Sequence, residues 1–325
     1  STFAGGLDTT AGGTENFAGT VAATDNQIDI GVASVTADAT IDGGTGAINT
    51  AAMTVADAST LTVGTGAVGA PTIASVTGAN GGGAASNLTL NSTGVASVGA
   101  VGTNIGTVTV TQSGGTTFSS TVDAVAVTLT DTTGTIQFDG ALTATDLNTA
   151  AKGYGVSLLG GSTIANAVTF SNTGTTQIGD ATGDTNTFNG GVTATAGAVT
   201  ASGSVVTSED NLALGAVTLV EAQTLTLDTA NTGGGNITVA SLTGVTGGSS
   251  ENITLESGSG TITVSGAVGT DIGTLTLQEN AAGASGAVSL QGNVAANTLT
   301  TFAQAYDVSL TGAVNTISTD TTFLN

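Results

Sequence analysis

Residues 237–277 read ITVASLTGVTGGSSENITLESGSGTITVSGAVGTDIGTLTL, and residues 73–110 read IASVTGANGGGAASNLTLNSTGVASVGAVGTNIGTVTV. Both are short runs of Thr, Val, Leu and Ile with period two, separated by Gly, Ser and Asn. That is the pattern of half-buried strands joined by tight turns. Three phrases align the stretches. Ser75-Val-Thr-Gly78 falls on Ser241-Leu-Thr-Gly244, a shift of 166 (241 − 75). Asn87-Leu-Thr-Leu90 falls on Asn252-Ile-Thr-Leu255, a shift of 165, and the run from Gly99 to Val110 falls on Gly266 to Leu277, a shift of 167. A fourth phrase lies upstream in the same order: Met53 to Val63 matches Val217 to Leu227 at a shift of 164. The chain is therefore read as two diverged copies of one long unit, 1–166 and 167–325, forming one continuous array of smaller strand-and-turn units.

Composition sets the fold class. Of 325 residues, 51 are Gly and only one is Pro; apolar residues make up 39% and charged residues 7%. Glycine at that level often marks disorder, but disorder also needs low hydrophobicity and high charge, and both are missing. The apolar set is Val, Ile, Leu and Ala with Thr beside it, residues suited to a pleated, half-buried surface. The Glu, Lys and Arg of amphipathic helices are nearly absent. The chain is read as all-β.

Strand runs ending near 90, 110 and 129, and again near 138 and 158, repeat about every 20 residues. Three short strands in each such period is the texture of a parallel β-solenoid, here of about 16 coils. A string of tandem β-sandwich domains is the second choice; a composition of 3% aromatic residues argues against two-sheet cores. A narrow coil interior is expected to hold ladders of Val, Ile, Leu and Ala with no room for large rings. Gly and Asn at the corners supply the left-handed conformations that sharp bends need. Pro71 is placed in a turn.

Charge and residue types exclude several functions. One Lys (Lys152) against 23 acids gives a formal charge of −22, which excludes nucleic-acid binding and disfavours an anionic membrane surface. No apolar run is long enough to span a bilayer. Without His or Cys the usual nucleophilic triads are impossible, and Lys152 reads as a solvated loop lysine. The acid pairs Asp38/Asp42 and Glu209/Asp210 have no glycosidase signature beyond nearness. No enzyme and no cofactor are expected. Weakly bound calcium is the one metal to consider, at Asp180, Asp184 and Asn186. Thr-x-Thr pairs at 107/109, 128/130, 224/226, 261/263 and 274/276 raise ice binding, but the pairs skip coils in sequence and their spacing wanders.

Thr2-Phe3 and Thr322-Phe323 fall in the phase of Thr169-Phe170, at steps of 167 (169 − 2) and 153 (322 − 169). These four residues are the expected subunit interface of an end-to-end fibre, because open coils expose edge backbone and core side chains.

The TLTL, TVTV, VSL and GAV phrases joined by Gly, Asn and Ser resemble bacterial β-strand-repeat surface proteins: filamentous-haemagglutinin-like adhesins, autotransporter passengers and some surface-layer proteins. The resemblance covers essentially the whole chain and carries no functional residue over. It implies export, a solenoid, and an extracellular or cell-surface role in a filament, sheath or layer. An adhesin stalk, or a module binding ice or a cell-surface glycan, is the alternative.

Overall fold

The computed structural model describes residues 1–67, 69–229, 233–278 and 285–325. Among these there is no helix; the chain is all-β, with parallel strands stacked as a β-solenoid of about 15 turns. It forms two compact units, Ser1–Ser157 and Leu158–Asn325.

In the first unit each turn lays down three strand segments, and each segment pairs in register with its counterpart one turn on. One column runs Ile30, Thr50, Ile73, Val98, Phe118 and Phe138. A second runs Ala33, Met53, Val76, Val101, Val122 and Leu142. A third runs Val21, Ile41, Val63, Leu90, Val110 and Leu129. These residues point inward and are buried. The second unit is built the same way, with ladders such as Val168, Val192, Leu212, Ile237, Ile262 and Val288. Fully burying each such side chain stabilises by roughly 1.5–3 kcal/mol, and parallel pairing makes every coil bury its share against the next.

Two expectations are corrected. The interior does admit rings: Phe118 and Phe138 are fully buried and stack with centroids 4.8 Å apart and planes 5° from parallel. Their separation equals the distance between paired strands, so registered coils place identical rings face over face. Phe170 and Phe188 meet edge to face at 6.2 Å. Pro71 is not in a turn but opens the strand Pro71–Gly78. The first residue of a strand tolerates a missing N–H.

The repeated phrases have physical causes. Gly78 and Gly244 close the Ser-x-Thr-Gly phrases, and each donates its N–H to the next coil, to the Thr103 and Thr270 carbonyls at 3.0 Å. A Cβ at Gly78 would overlap the Asn104 carbonyl, and at Gly244 the Thr270 carbonyl. Asn104, Thr270 and Asp271 turn the corner there with φ of 61°, 59° and 54°.

Tyr154 and Tyr306 form a second matched pair. Each hydroxyl accepts the N–H four residues back (Ala150 at 2.9 Å, Phe302 at 3.0 Å). Each donates to the coil before, to the Leu129 carbonyl at 2.9 Å and the Leu277 carbonyl at 3.1 Å. At the first site the Ala150 N–H also reaches the Leu129 carbonyl directly at 2.9 Å, so the hydroxyl adds two bonds to a backbone pair that is already joined. Tyr154→Phe is expected to cost about 0.5–1.5 kcal/mol in urea unfolding. Burial raises the pKa of both phenols above 10.0. The folded state therefore holds those protons more tightly, and this contribution is whole below the unfolded pKa and lost as pH rises through the folded one. Urea midpoints should fall above about pH 10, and less steeply in the Tyr154→Phe/Tyr306→Phe variant.

Candidate functional site

The structure assigns the acids a common job. Many of the carboxylates accept backbone N–H groups, mostly at corners. Asp8 accepts Thr10, Asp42 accepts Gly44, and Asp184 accepts both Asp180 and Ala181, all at 2.9 Å. Others reach across to a neighbouring coil: Asp25 to Thr45 at 3.0 Å, Asp38 to Thr60 at 2.8 Å, Asp57 to Gly83 at 3.0 Å and Asp271 to Gly247 at 2.9 Å. Glu209 accepts Gly233 at 3.2 Å and Glu221 accepts Ser249 at 2.6 Å. Asp38 and Asp42, and Glu209 among the second pair, are thus engaged by backbone donors.

Of the calcium candidates, Asp180 is exposed and Asp184 half-buried, whereas Asn186 is buried and accepts the Ser162 hydroxyl at 2.8 Å. The structure does not bring the three to one face. Among the described residues no group of three acids, His or Cys is placed to hold a metal ion. Lys152 lies 4.0 Å from Asp131 with both side chains more than half exposed.

Thr2 and Phe3 form a strand paired to Ala22 and Ala23, and Phe3 helps line an apolar cleft with Leu7, Phe17, Val21 and Ile30. Thr322 and Phe323 lie outside the strands; the Thr322 carbonyl accepts the Thr301 hydroxyl at 3.4 Å, and Phe323 and Leu324 are 50% and 55% exposed.

Outward from the sheets the register reveals what the linear spacing hid. In the first unit Thr20, Thr40, Thr62, Thr89, Thr109 and Thr128 are Cα partners in six successive coils. Their sequence steps are 20, 22, 27, 20 and 19, because loops of unequal length lie between strands of equal register. Two residues before the last four of them runs a second file, Thr60, Asn87, Thr107 and Ala126. In the second unit Ser204, Thr226, Thr254, Thr276 and Thr300 are partners, flanked by Thr224, Asn252, Thr274 and Thr298. Thr-x-Thr pairs do skip coils, at Asn87 and Ala126 in the first unit and at Asn252 in the second, but one threonine of each pair belongs to an unbroken file. Thr130 and the pair Thr261/Thr263 lie outside the arrays: Thr130 donates to the Val110 and Thr111 carbonyls, and Thr261 donates to Asn236.

Sequence reading missed Thr60, Thr62, Thr89, Thr298 and Thr300 as members of these arrays. The signal was present in the phrases TLTV, NLTL, TVTV and TLTL, once strands are aligned by inward Leu and Val rather than by residue count.

Asn87 and Asn252 occupy the same place in both arrays. Each Oδ1 accepts the N–H of the next coil's Thr, Thr107 and Thr274, at 2.9 Å, where the strand pairing shifts register. Just before Asn252 lies Glu251, fully buried; its Oε1 accepts Ala222 N–H at 3.4 Å and its Oε2 has no partner. The matching residue of the first copy is Ser86, whose hydroxyl bonds the Val55 and Ala56 carbonyls at 2.9 Å.

No known protein family, curated protein or solved structure matches this chain.

Two outcomes follow from these placements. Glu251→Gln, which keeps the shape and replaces the unpartnered acceptor with a donor, is expected to raise unfolding free energy by about 1–3 kcal/mol; a lowered urea midpoint would refute this. Hydrogen bonds from the Thr10 side chain and backbone hold Asp8 below 3.8, and those from the Thr45 backbone and side chain do the same for Asp25. A depressed folded pKa gives stability that is present above the unfolded value and lost as pH falls through the folded one. Circular dichroism should show weakening below about pH 4, reduced in the Asp8→Asn/Asp25→Asn variant.

Proposed function

We propose that this chain is a structural protein of the cell exterior, a β-solenoid whose coils stack on those of further copies in a filament, sheath or surface layer, and that it performs no catalysis. The uniformity of the coil-to-coil contact carries this reading. Each level joins the next by the same parallel pairing and the same inward ladders. A coil edge accordingly suits any other coil of the chain, including one from a second molecule. Apolar surface beside such edges supports it: the cleft at Phe3, Leu7 and Phe17 in the first unit, and exposed Val314, Phe323 and Leu324 in the second. The near absence of Lys and Arg suits exposure to trypsin-like proteases outside the cell. Engagement of the acids by backbone N–H groups supports a non-catalytic role.

Electron microscopy of the purified chain is expected to show fibres or sheets that shorten on Phe3→Asp or Phe323→Asp substitution. Monodisperse particles at high protein concentration, with light scattering indifferent to both substitutions, would refute the assembly.

A further inference from the structure

We propose that the two threonine arrays are ice-binding surfaces. The reading is independent of coil stacking, since it concerns the outward side of the strands rather than their edges. In each unit the array is four coils by two positions: 60/62, 87/89, 107/109 and 126/128 in the first, 224/226, 252/254, 274/276 and 298/300 in the second.

Three observations point to a solid, uncharged, hydroxyl-matching partner. The first is spacing: paired strands repeat about every 4.8 Å, and alternate residues along a strand about every 6.6 Å. Those repeats lie near the oxygen spacings of a prism face of ice, and a liquid or a single sugar chain has no such two-dimensional period.

The second is availability. Among the described residues the hydroxyls of Thr62, Thr89, Thr109, Thr226, Thr254 and Thr276 make no hydrogen bond to protein, so each can join a water lattice while its methyl group rests in the gap between waters. Between them the inward partners Leu88, Val108, Leu225, Ile253 and Leu275 are 0% exposed, which holds the strand against rotation. Threonine, branched at Cβ, adds a stiff χ1. The lattice is ordered before ice arrives, so little entropy is lost on contact.

The third is charge. No acid occupies any of the 16 array positions although the chain carries 23; in the first unit Asp38 and Asp146 stand at the next places of the flanking file, beside Thr60 and Ala126. Charged groups would order water in a pattern ice does not share. The one amide at an array position in each unit, Asn87 or Asn252, is turned to a backbone N–H of the next coil. The same order of Thr, Asn and Thr in both copies survives while the intervening loops differ in length.

The test is thermal hysteresis and ice recrystallisation with the full chain, its Thr109→Lys/Thr276→Lys variant, and Thr143→Lys, an exposed strand position outside the arrays. Far-ultraviolet circular dichroism and urea midpoints check that all three are folded. The proposal expects faceted ice crystals and inhibited recrystallisation from the parent and from Thr143→Lys, with at least a tenfold higher concentration needed for the double variant. It is overturned if the parent acts on ice no better than an inert protein of like mass, or if the double variant matches the parent. Co-sedimentation with insoluble cellulose or chitin that the double variant loses, without any ice activity in the parent, would also overturn it and assign the arrays to a polysaccharide surface.

Discussion

Backbone pairing between successive coils is the constraint on which everything else depends. Each strand's N–H and C=O groups must be met by the next turn, because an unmet buried donor or acceptor costs as much as a lost hydrogen bond. Pairing is parallel, and side chains alternate faces with period two, so register fixes which residues are inside. A slip of one residue at Val108 against Leu88 would turn Val108 and Val110 of that strand out to solvent. Insertions are therefore pushed to the corners, and coil length varies freely while the ladders do not.

That freedom explains how two copies diverged without losing the fold. Between Thr62 and Thr89, and between Thr226 and Thr254, one turn takes 27 and 28 residues; the next takes 20 and 22. Where an uneven corner leaves a donor short, a polar side chain supplies the acceptor, as Asn87 and Asn252 do at matched shifts of register. Glu251 shows the limit of such replacement. It occupies the place where Ser86 closes two carbonyls, and offers an acceptor where a donor is needed.

Much of the architecture was readable from the residues because its causes are local. Period-two runs, Gly and Asn corners and a recurrence near 20 residues lead to parallel coils without reference to any distant contact. What could not be read depends on register between turns. Phe118 and Phe138 are 20 residues apart in the sequence and look like isolated bulky residues; only stacking of coils makes them one ring pair. The continuity of the single threonine files went unseen for the same reason, since counting residues between Thr62 and Thr89 includes a loop that the sheet leaves out. Pro71 was misplaced because a strand's first residue and a turn's last have the same sequence cue.

The lopsided charge follows from the same geometry. Corners of a parallel coil expose N–H groups that no carbonyl reaches, and a carboxylate is the strongest acceptor a side chain can offer. Lys and Arg bring only donors, of which a corner already has too many. Asp25, Asp38, Asp57, Asp271, Glu209 and Glu221 each reach across to another coil's backbone N–H. Part of the acidity in this chain is thus a product of turn chemistry. Many acids gather at corners, where donors are unmet, while Asp29, Asp123, Asp131 and Asp146 stand within strands outside the threonine files. One rule, that every backbone donor finds an acceptor, accounts for both the acidic corners and the neutral hydroxyl faces between them.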